Sequence, residues 1–408
     1  MSRPSAPRTS EHRPGAAVVE RRGGMREQAL IADEAGLARV ADAIAGESRV
    51  ALDTESNGFH AYNEQVCLVQ IATPDADYAI DVLAVGLGPL RPLLADPARE
   101  LVLHAAEYDV LCLKREWGVT LGRIFDTHAA AKVLGIERVG LGNLLHDELG
   151  LLLTEDEQRS DWGRRPLTAG QLAYAFADVQ HLLPLREGLG ARLAEGGLLS
   201  EAEAEFARLI AKEPRPRQFD PDGWQKMKAA RTLDGRGRGV LREMYLLRDR
   251  RARDVNRPPF KVLSDLLLAE VARRQPRTED EVLRVPGAQA AVLRRLAPQI
   301  LEAVRAGQSG APAPRPQPRR PPWRRAGPDA EVEERYEKLR IWRKGRAEAR
   351  KVEVQVIAPN AVLLAVARSA PRTLEELGRV DGMDPFRLQQ YGEEILSALH
   401  SNSQQQLL

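Results

Sequence analysis

The sequence predicts an α/β domain, a mixed sheet flanked by helices, followed by two all-α helical bundles. Three observations carry that expectation. Short apolar runs bounded by turn residues come first and then alternate with stretches of helical period. Prolines cluster at Pro214, Pro216 and Pro221. Beyond that break the sequence repeats itself at a fixed offset of 95 residues.

Residues 1–24, rich in Pro, Ser, Arg and Gly, read as a disordered arm. The α/β domain is expected over 25–213. Over 29–44, apolar residues recur at helix spacing (Leu30, Ile31, Leu37, Val40, Ala41, Ile44), which predicts a helix, and 50–52 is the first strand. Residues 67–71 and 77–82 read as two more strands around a turn at Pro74-Asp75, so the first three strands suggest an antiparallel meander. The pattern then changes to strand, helix, strand. A helix near 89–95 precedes a strand at 100–104, a helix over 107–117 with Val110, Leu111, Leu113 and Trp117 inward, and a fifth strand at 123–126. The rest of the domain is helical to about residue 211.

In the repeat, Arg248, Arg251 and Ala252 recur as Arg343, Arg346 and Ala347, and Pro276-Arg277-Thr278 recurs as Pro371-Arg372-Thr373. Val285 and Gly287 return as Val380 and Gly382, without a gap. Each copy has helical periodicity and a Pro-x-Thr helix start, which predicts a small helical bundle. The copies are placed at 214–307, with its leading linker, and 329–408. Residues 308–328, rich in Pro and Arg, form a stiff, extended linker in this reading.

Composition narrows the function classes. The chain has 408 residues, 43% hydrophobic and 29% charged, which suits two or three globular domains. No apolar run approaches the roughly 20 residues that span a bilayer, and residues 1–24 hold no apolar signal core, so a cytoplasmic protein without membrane contact is expected. Cys67 and Cys112 have neither disulfide-framework nor zinc-site spacing and read as buried thiols. The net charge of +2 hides an uneven distribution: residues 226–261 carry twelve Lys or Arg against four Asp or Glu. Such a run is a solvated helix face or a surface for a phosphate backbone.

The chemistry centres on Leu52-Asp53-Thr54-Glu55. Successive strand side chains alternate between faces, so Asp53 and Glu55 share one face and repel unless a cation or hydrogen-bond donors compensate. A hard, oxygen-seeking divalent ion meets that need; a strand-end pair facing water is the alternative. Further oxygen ligands should lie where other elements reach the end of this strand. Asp109 falls in the first turn of the 107–117 helix, either as a ligand or as a cap of that helix. Tyr174 and Asp178, at i and i+4, share a helix face in apolar surroundings where an unpaired carboxylate is costly. Tyr245 and Asp249 have the same spacing within the basic run, where an ordinary surface reading suffices.

This ordered set resembles the DEDD superfamily of 3′→5′ exonucleases, and within it the ribonuclease D family. It comprises Asp53-x-Glu55, His104 through Asp109, Phe125-Asp126-Thr127, Ser160-Asp161-Trp162 with Arg165-Pro166-Leu167, and Tyr174-x-x-x-Asp178. The tandem repeat is similar to the HRDC domain, a helical nucleic-acid-binding module. The resemblance implies a ribonuclease H-like fold and two Mg²⁺ or Mn²⁺ ions. One ion would be held by Asp53, Glu55 and Asp178, and the other by Asp53 with Asp109 largely through water. Tyr174 would orient or help deprotonate the attacking water, and since a free phenol with a pKa of about 10 is a poor base at pH 7, orientation is the role expected. Residue 173, where the histidine subgroup carries its base, is Ala173, which implies the tyrosine subgroup.

The implied reaction is stepwise hydrolysis of RNA from a single-stranded 3′ end, with tRNA precursors as the implied partners and no obligate protein partner. A DNA exonuclease and a non-catalytic nucleic-acid-binding scaffold are the alternatives. Phe59, His60 and Trp162 are candidates for base stacking or for packing, and His128 and His181 are read as structural. The second repeat copy departs from the first, with Asn360 in place of Asp265 and a less basic first helix, so its own contact with nucleic acid is left open.

Overall fold

The structure, a computed structural model, describes residues 26–153, 157–215, 218–310, 312–315 and 330–401. The arm expected at 1–24 lies outside these residues. Six strands, β1 (Glu27–Ile31), β2 (Arg49–Ser56), β3 (Val66–Ala72), β4 (Ala76–Ile80), β5 (Glu100–Leu103) and β6 (Arg123–Asp126), form one sheet in the order β1-β4-β3-β2-β5-β6. The antiparallel meander β2-β3-β4 is present, and β1, β5 and β6 join their neighbours in parallel.

The expectation for residues 29–31 needs correction. Residues 29–31 are not helical: Leu30 and Ile31 end β1, and the helix runs over Glu34–Ala45, capped by Asp33, whose side chain accepts from Gly36 N at 2.7 Å. Leu30 and Ile31 fit the spacing of the helix by chance, while the partner that makes them a strand, β4, lies far along the chain. The count shifts accordingly, and 123–126 is the sixth strand.

β3 is buried at every position, so both faces of the sheet are covered. The main core covers one face and includes Val50, Leu52, Val69 and Ile71. On the other, Cys67, Leu68 and Ala79 pack with Trp162, Ala175 and Phe176, beneath the Ala169–Gln180 helix. In the Glu107–Trp117 helix the inward residues are Asp109, Val110, Cys112 and Leu113, while Leu111 and Trp117 are only partly covered.

The repeat is visible as backbone. Helices Gly235–Asp254, Pro259–Val262, Asp265–Arg274, Glu279–Leu283 and Ala290–Ser309 are followed by Ala330–Arg350, Val354–Ile357, Asn360–Ser369, Leu374–Gly378 and Pro385–His400, every one starting 95 residues after its counterpart. Thr278 and Thr373 cap equivalent helices, each accepting from the amide three residues on. The first bundle reaches into the stretch expected to be linker. Its last helix continues to Ser309, and Ala313 is buried in its core with its amide on Gly235 O at 3.1 Å. Residues 316–329 lie outside the described part.

Both bundles dock on the α/β domain through polar contacts. For the first, Tyr62 Oη donates to Asp249 at 2.6 Å, and Asn256 Oδ1 accepts from Tyr62 N at 3.1 Å. Asp249 is therefore a buried interdomain acceptor rather than the surface residue expected, because its partner is 187 positions away. For the second, Arg350 donates to both oxygens of buried Glu201 at 2.8 and 2.7 Å, Arg387 pairs with Glu205, and Lys132 meets Glu353 at 3.1 Å.

Candidate active site

The strand period places Asp53 and Glu55 side by side on one face of β2, and the register shift between Glu55 and Ser56 ends the regular pairing just beyond them. The Ala169–Gln180 helix lies across that face. Thr168 starts it with a capping box closed by Gln171, and Gln171 Nε2 also holds Ser160 Oγ at 2.9 Å. Arg165 fixes the preceding loop to the sheet with paired bonds to Asp81 at 2.5 and 2.7 Å and one to Cys67 O at 3.0 Å. Ser160, Trp162 and Arg165, noted in the sequence as a motif, thus form the clamp that sets the helix carrying Tyr174 and Asp178.

One carboxylate oxygen each from Asp53, Glu55 and Asp178 lies within 4.8 Å of the others, close enough to share a cation. Asp109 stands outside that set. It is buried in the first turn of its helix, where Oδ1 accepts from Thr54 Oγ1 at 2.5 Å, yet its charge still reaches Asp53. Burial, followed by the charges of Asp109, Asp178 and Glu55, drives the Asp53 carboxyl well above the usual carboxylate range. Burial with Asp178 and Asp109 pushes Glu55 up to about 9. For Asp109, burial outweighs the bond from Thr54 and lifts it to about 7. Such a cluster is charged at neutral pH only if a cation joins it, and its all-oxygen donor set suits a hard divalent ion. Gln70, opposite Asp53 in the ladder and fully buried, has neither amide atom satisfied among the described residues.

Tyr174 is half-buried over the cluster and hydrogen-bonds to Asp178. Burial, then the charges of Asp178, Glu55 and Asp53, raises its phenol further above its usual range, so it keeps its proton at neutral pH. Ala173 is exposed and carries no competing base. His104 is neutral, pushed down to about 4 by burial and His128, with Nδ1 2.9 Å from Thr127 Oγ1. Asp126 holds the turn before the Glu107–Trp117 helix by accepting from Ala105 N and Ala106 N at 2.9 and 3.1 Å.

The cluster lies in a cavity of about 980 Å³ that is also lined by Phe59, Tyr108, His128 and, from the first bundle, Pro258, Pro259 and Phe260. Of the stacking candidates, Trp162 is fully buried and packs at 6.0 Å on Tyr174, and His60 is held by Arg159 O at 3.0 Å. Phe59 is 52% exposed. His181 lies at the boundary of two helices, away from the cavity lining. Sequence reasoning passed over Thr54, although it sits between the two acids, and over Tyr108 and Phe260, for which no local pattern existed. The basic run is also partly spent internally. Arg248 pairs with Asp265 at 2.5 Å, Arg253 with Asp249 at 2.8 Å, and Lys226 with Asp220 at 2.5 Å.

Fold and cluster together define a divalent-metal-dependent 3′→5′ exonuclease with appended helical modules, and comparison with known proteins agrees. The 3′-5′ exonuclease family profile matches residues 28–194, and the HRDC domain profile matches 237–304 and 332–399. Ribonuclease D of Gluconacetobacter diazotrophicus is 34% identical over 313 residues, covering 73% of this chain and 79% of that one. Ribonuclease D of Pseudomonas paraeruginosa is 32% identical over 380 residues, covering 91% and 97%. The chain belongs to the ribonuclease D family and is a metal-dependent 3′→5′ exoribonuclease. The crystal structure of Escherichia coli RNase D, described as an exoribonuclease involved in structured RNA processing, shares the fold: TM-score 0.63 at 23% identity, over 91% of this chain and 98% of that one. Among the described residues, no helix is long and apolar enough to cross a membrane.

Proposed function

We propose that the Asp53-Glu55-Asp109-Asp178 cluster, with Tyr174, is the catalytic centre, and that it removes nucleotides one at a time from single-stranded 3′ ends of RNA. The observation that carries this reading is the convergence of three carboxylates within 4.8 Å at the floor of a cavity large enough for a strand end. In this reading Asp53, Glu55 and Asp178 hold one Mg²⁺ or Mn²⁺ ion, and Asp53 with Asp109 holds a second. When bound, the ions supply Lewis acidity, acidifying water and neutralising charge on the leaving 3′ oxygen. The chain's residues do the rest. Asp53 serves both positions, the Thr54 hydroxyl holds the Asp109 carboxylate in place at the start of its helix, and the protonated Tyr174 orients the attacking water while the clamp at Arg165 fixes its helix.

Precursors of tRNA and other structured RNAs with a 3′ overhang are the substrates we infer, in keeping with the description of the E. coli relative. We place the exonuclease domain at 25–213, the first HRDC domain at 214–313, with the last helix and Ala313 included, and the second at 329–408, and the protein in the cytoplasm, where its two buried free thiols stay reduced.

The test is digestion of a 5′-labelled RNA oligonucleotide with Mg²⁺. A ladder shortening from the 3′ end, abolished by EDTA and by Asp53→Ala, is expected. Near-normal hydrolysis by Asp53→Ala would overturn the site, faster digestion of a strand with a 2′-deoxy terminus would favour DNA, and no shortening would favour a scaffold. Profiling RNA 3′ ends in cells lacking the protein identifies the substrate.

A further inference from the structure

Two phenylalanines are exposed at the cavity, one from each domain. Phe59 follows the strand that carries Asp53 and Glu55, and Phe260 lies in the Pro258-Pro259-Phe260 segment of the first bundle; they are 52% and 56% exposed. Neither ring belongs to a buried core cluster among the described residues, and two exposed rings bordering one cavity offer a surface for a flat apolar ligand.

Their placement is fixed. The residues that follow them in sequence touch, Lys261 Nζ lying 3.4 Å from His60 Nδ1. Asn256 Oδ1 binds Tyr62 N at 3.1 Å, and two consecutive prolines stiffen the stretch that leads to Phe260. The chemistry around them is graded. The carboxylates lie in the same cavity, while Arg257 and Lys261 beside Phe260 are exposed and cationic. Aromatic faces flanked by cations are how proteins hold single-stranded nucleic acid without reading its sequence.

We propose that Phe59 and Phe260 together form a stacking site for a base of the RNA strand upstream of the terminal nucleotide, so that the first bundle supplies part of the substrate site. This rests on the exonuclease reading above and adds a binding residue from a second domain. Stacking accepts any base, so the site confers grip without sequence preference.

The full-length chain tests this with RNA oligonucleotides carrying a single abasic position at the second, third or fourth nucleotide from the 3′ end. Phe260→Ala should raise KM for the intact strand about tenfold, a loss typical of one stacked base, with kcat changing far less. One abasic position should raise the wild-type KM at least as much, raise it less in Phe260→Ala, and add nothing in the Phe59→Ala, Phe260→Ala double variant, because base and both rings belong to one contact. Phe260→Trp should rescue and Phe260→Leu should not, which separates stacking from simple apolar packing. Equal KM for Phe260→Ala and wild type, or additive effects of ring and base removal at every position, would overturn the proposal. The p-nitrophenyl ester of a nucleoside 5′-monophosphate, which has no upstream base, keeps the two readings apart. If wild-type protein with Mg²⁺ cleaves neither ester nor RNA, the exonuclease reading itself has failed.

Discussion

Thr54 Oγ1 donates to Asp109 Oδ1 at 2.5 Å, binding the residue between the two strand carboxylates to the carboxylate of a different element. The bond favours the charged form of Asp109, whose carboxyl burial has already raised to about 7. Thr54→Val keeps the shape of the side chain and removes the donor, so the Asp109 pKa should rise further. Activity should fall about tenfold below pH 7, the cost of a hydrogen bond to a charged group, and recover as pH rises toward 9. A pH profile of kcat/KM whose acidic limb does not move would refute this coupling.

Metal and stability are linked through the same cluster. The folded-state pKa of Glu55 is about 9 and that of Asp53 also lies far above the unfolded value near 4. Without a divalent ion, the folded protein therefore holds protons that the unfolded chain has released, and its stability falls as pH rises from about 4.5 through 9. Thermal scans in EDTA should show Tm dropping across that window, and added Mg²⁺ should raise Tm more at pH 8.5 than at pH 5.5. Asp53→Asn should be more stable than wild type at pH 8.5 in EDTA, and inactive.

Tyr174 is expected to act with its proton in place. Tyr174→Phe should lower kcat about a hundredfold, within the span ascribed to positioned proton-handling groups, while metal-induced stabilisation persists. The shape of the pH profile between 6 and 9 should not change. A new or vanished limb in that range would make the phenol a titrating base instead.

Arg350 is one of the anchors of the second bundle, and Glu201 beneath it has a side chain only 2% exposed. Arg350→Met leaves that carboxylate buried without its guanidinium, at a cost of about 3 kcal/mol or more. Urea unfolding should show this loss, and the Arg350→Met, Glu201→Leu double variant should recover most of it. A single variant as stable as wild type would mean the bundle docks without this pair.

Legibility in the sequence followed the range of the interaction. Asp53 with Glu55, and Tyr174 with Asp178, could be paired because strand and helix periods are local, and the repeat could be read because its copies kept one register. β1 was legible only as a continuation of helix spacing, since β4 decides its structure. Asp249 looked like a surface residue because Tyr62, 187 positions away, is what buries it. Trp162 could not be assigned to stacking or packing until the clamp at Arg165 was visible. Phe260 had no signal at all, because its exposure matters only where another domain brings the carboxylates beside it.

The two bundles meet the exonuclease domain with the same corner. Asn256, Pro258 and Lys261 of the first copy correspond, 95 residues on, to Lys351, Glu353 and Val356 of the second. The first three lie against Tyr62, the cavity and His60. The second three lie against Gly135, Lys132 and the main core. One duplicated backbone thus carries two addresses for a single host, written in a few side chains. One copy is moored at Lys132, and its twin lines the cavity that holds the carboxylates.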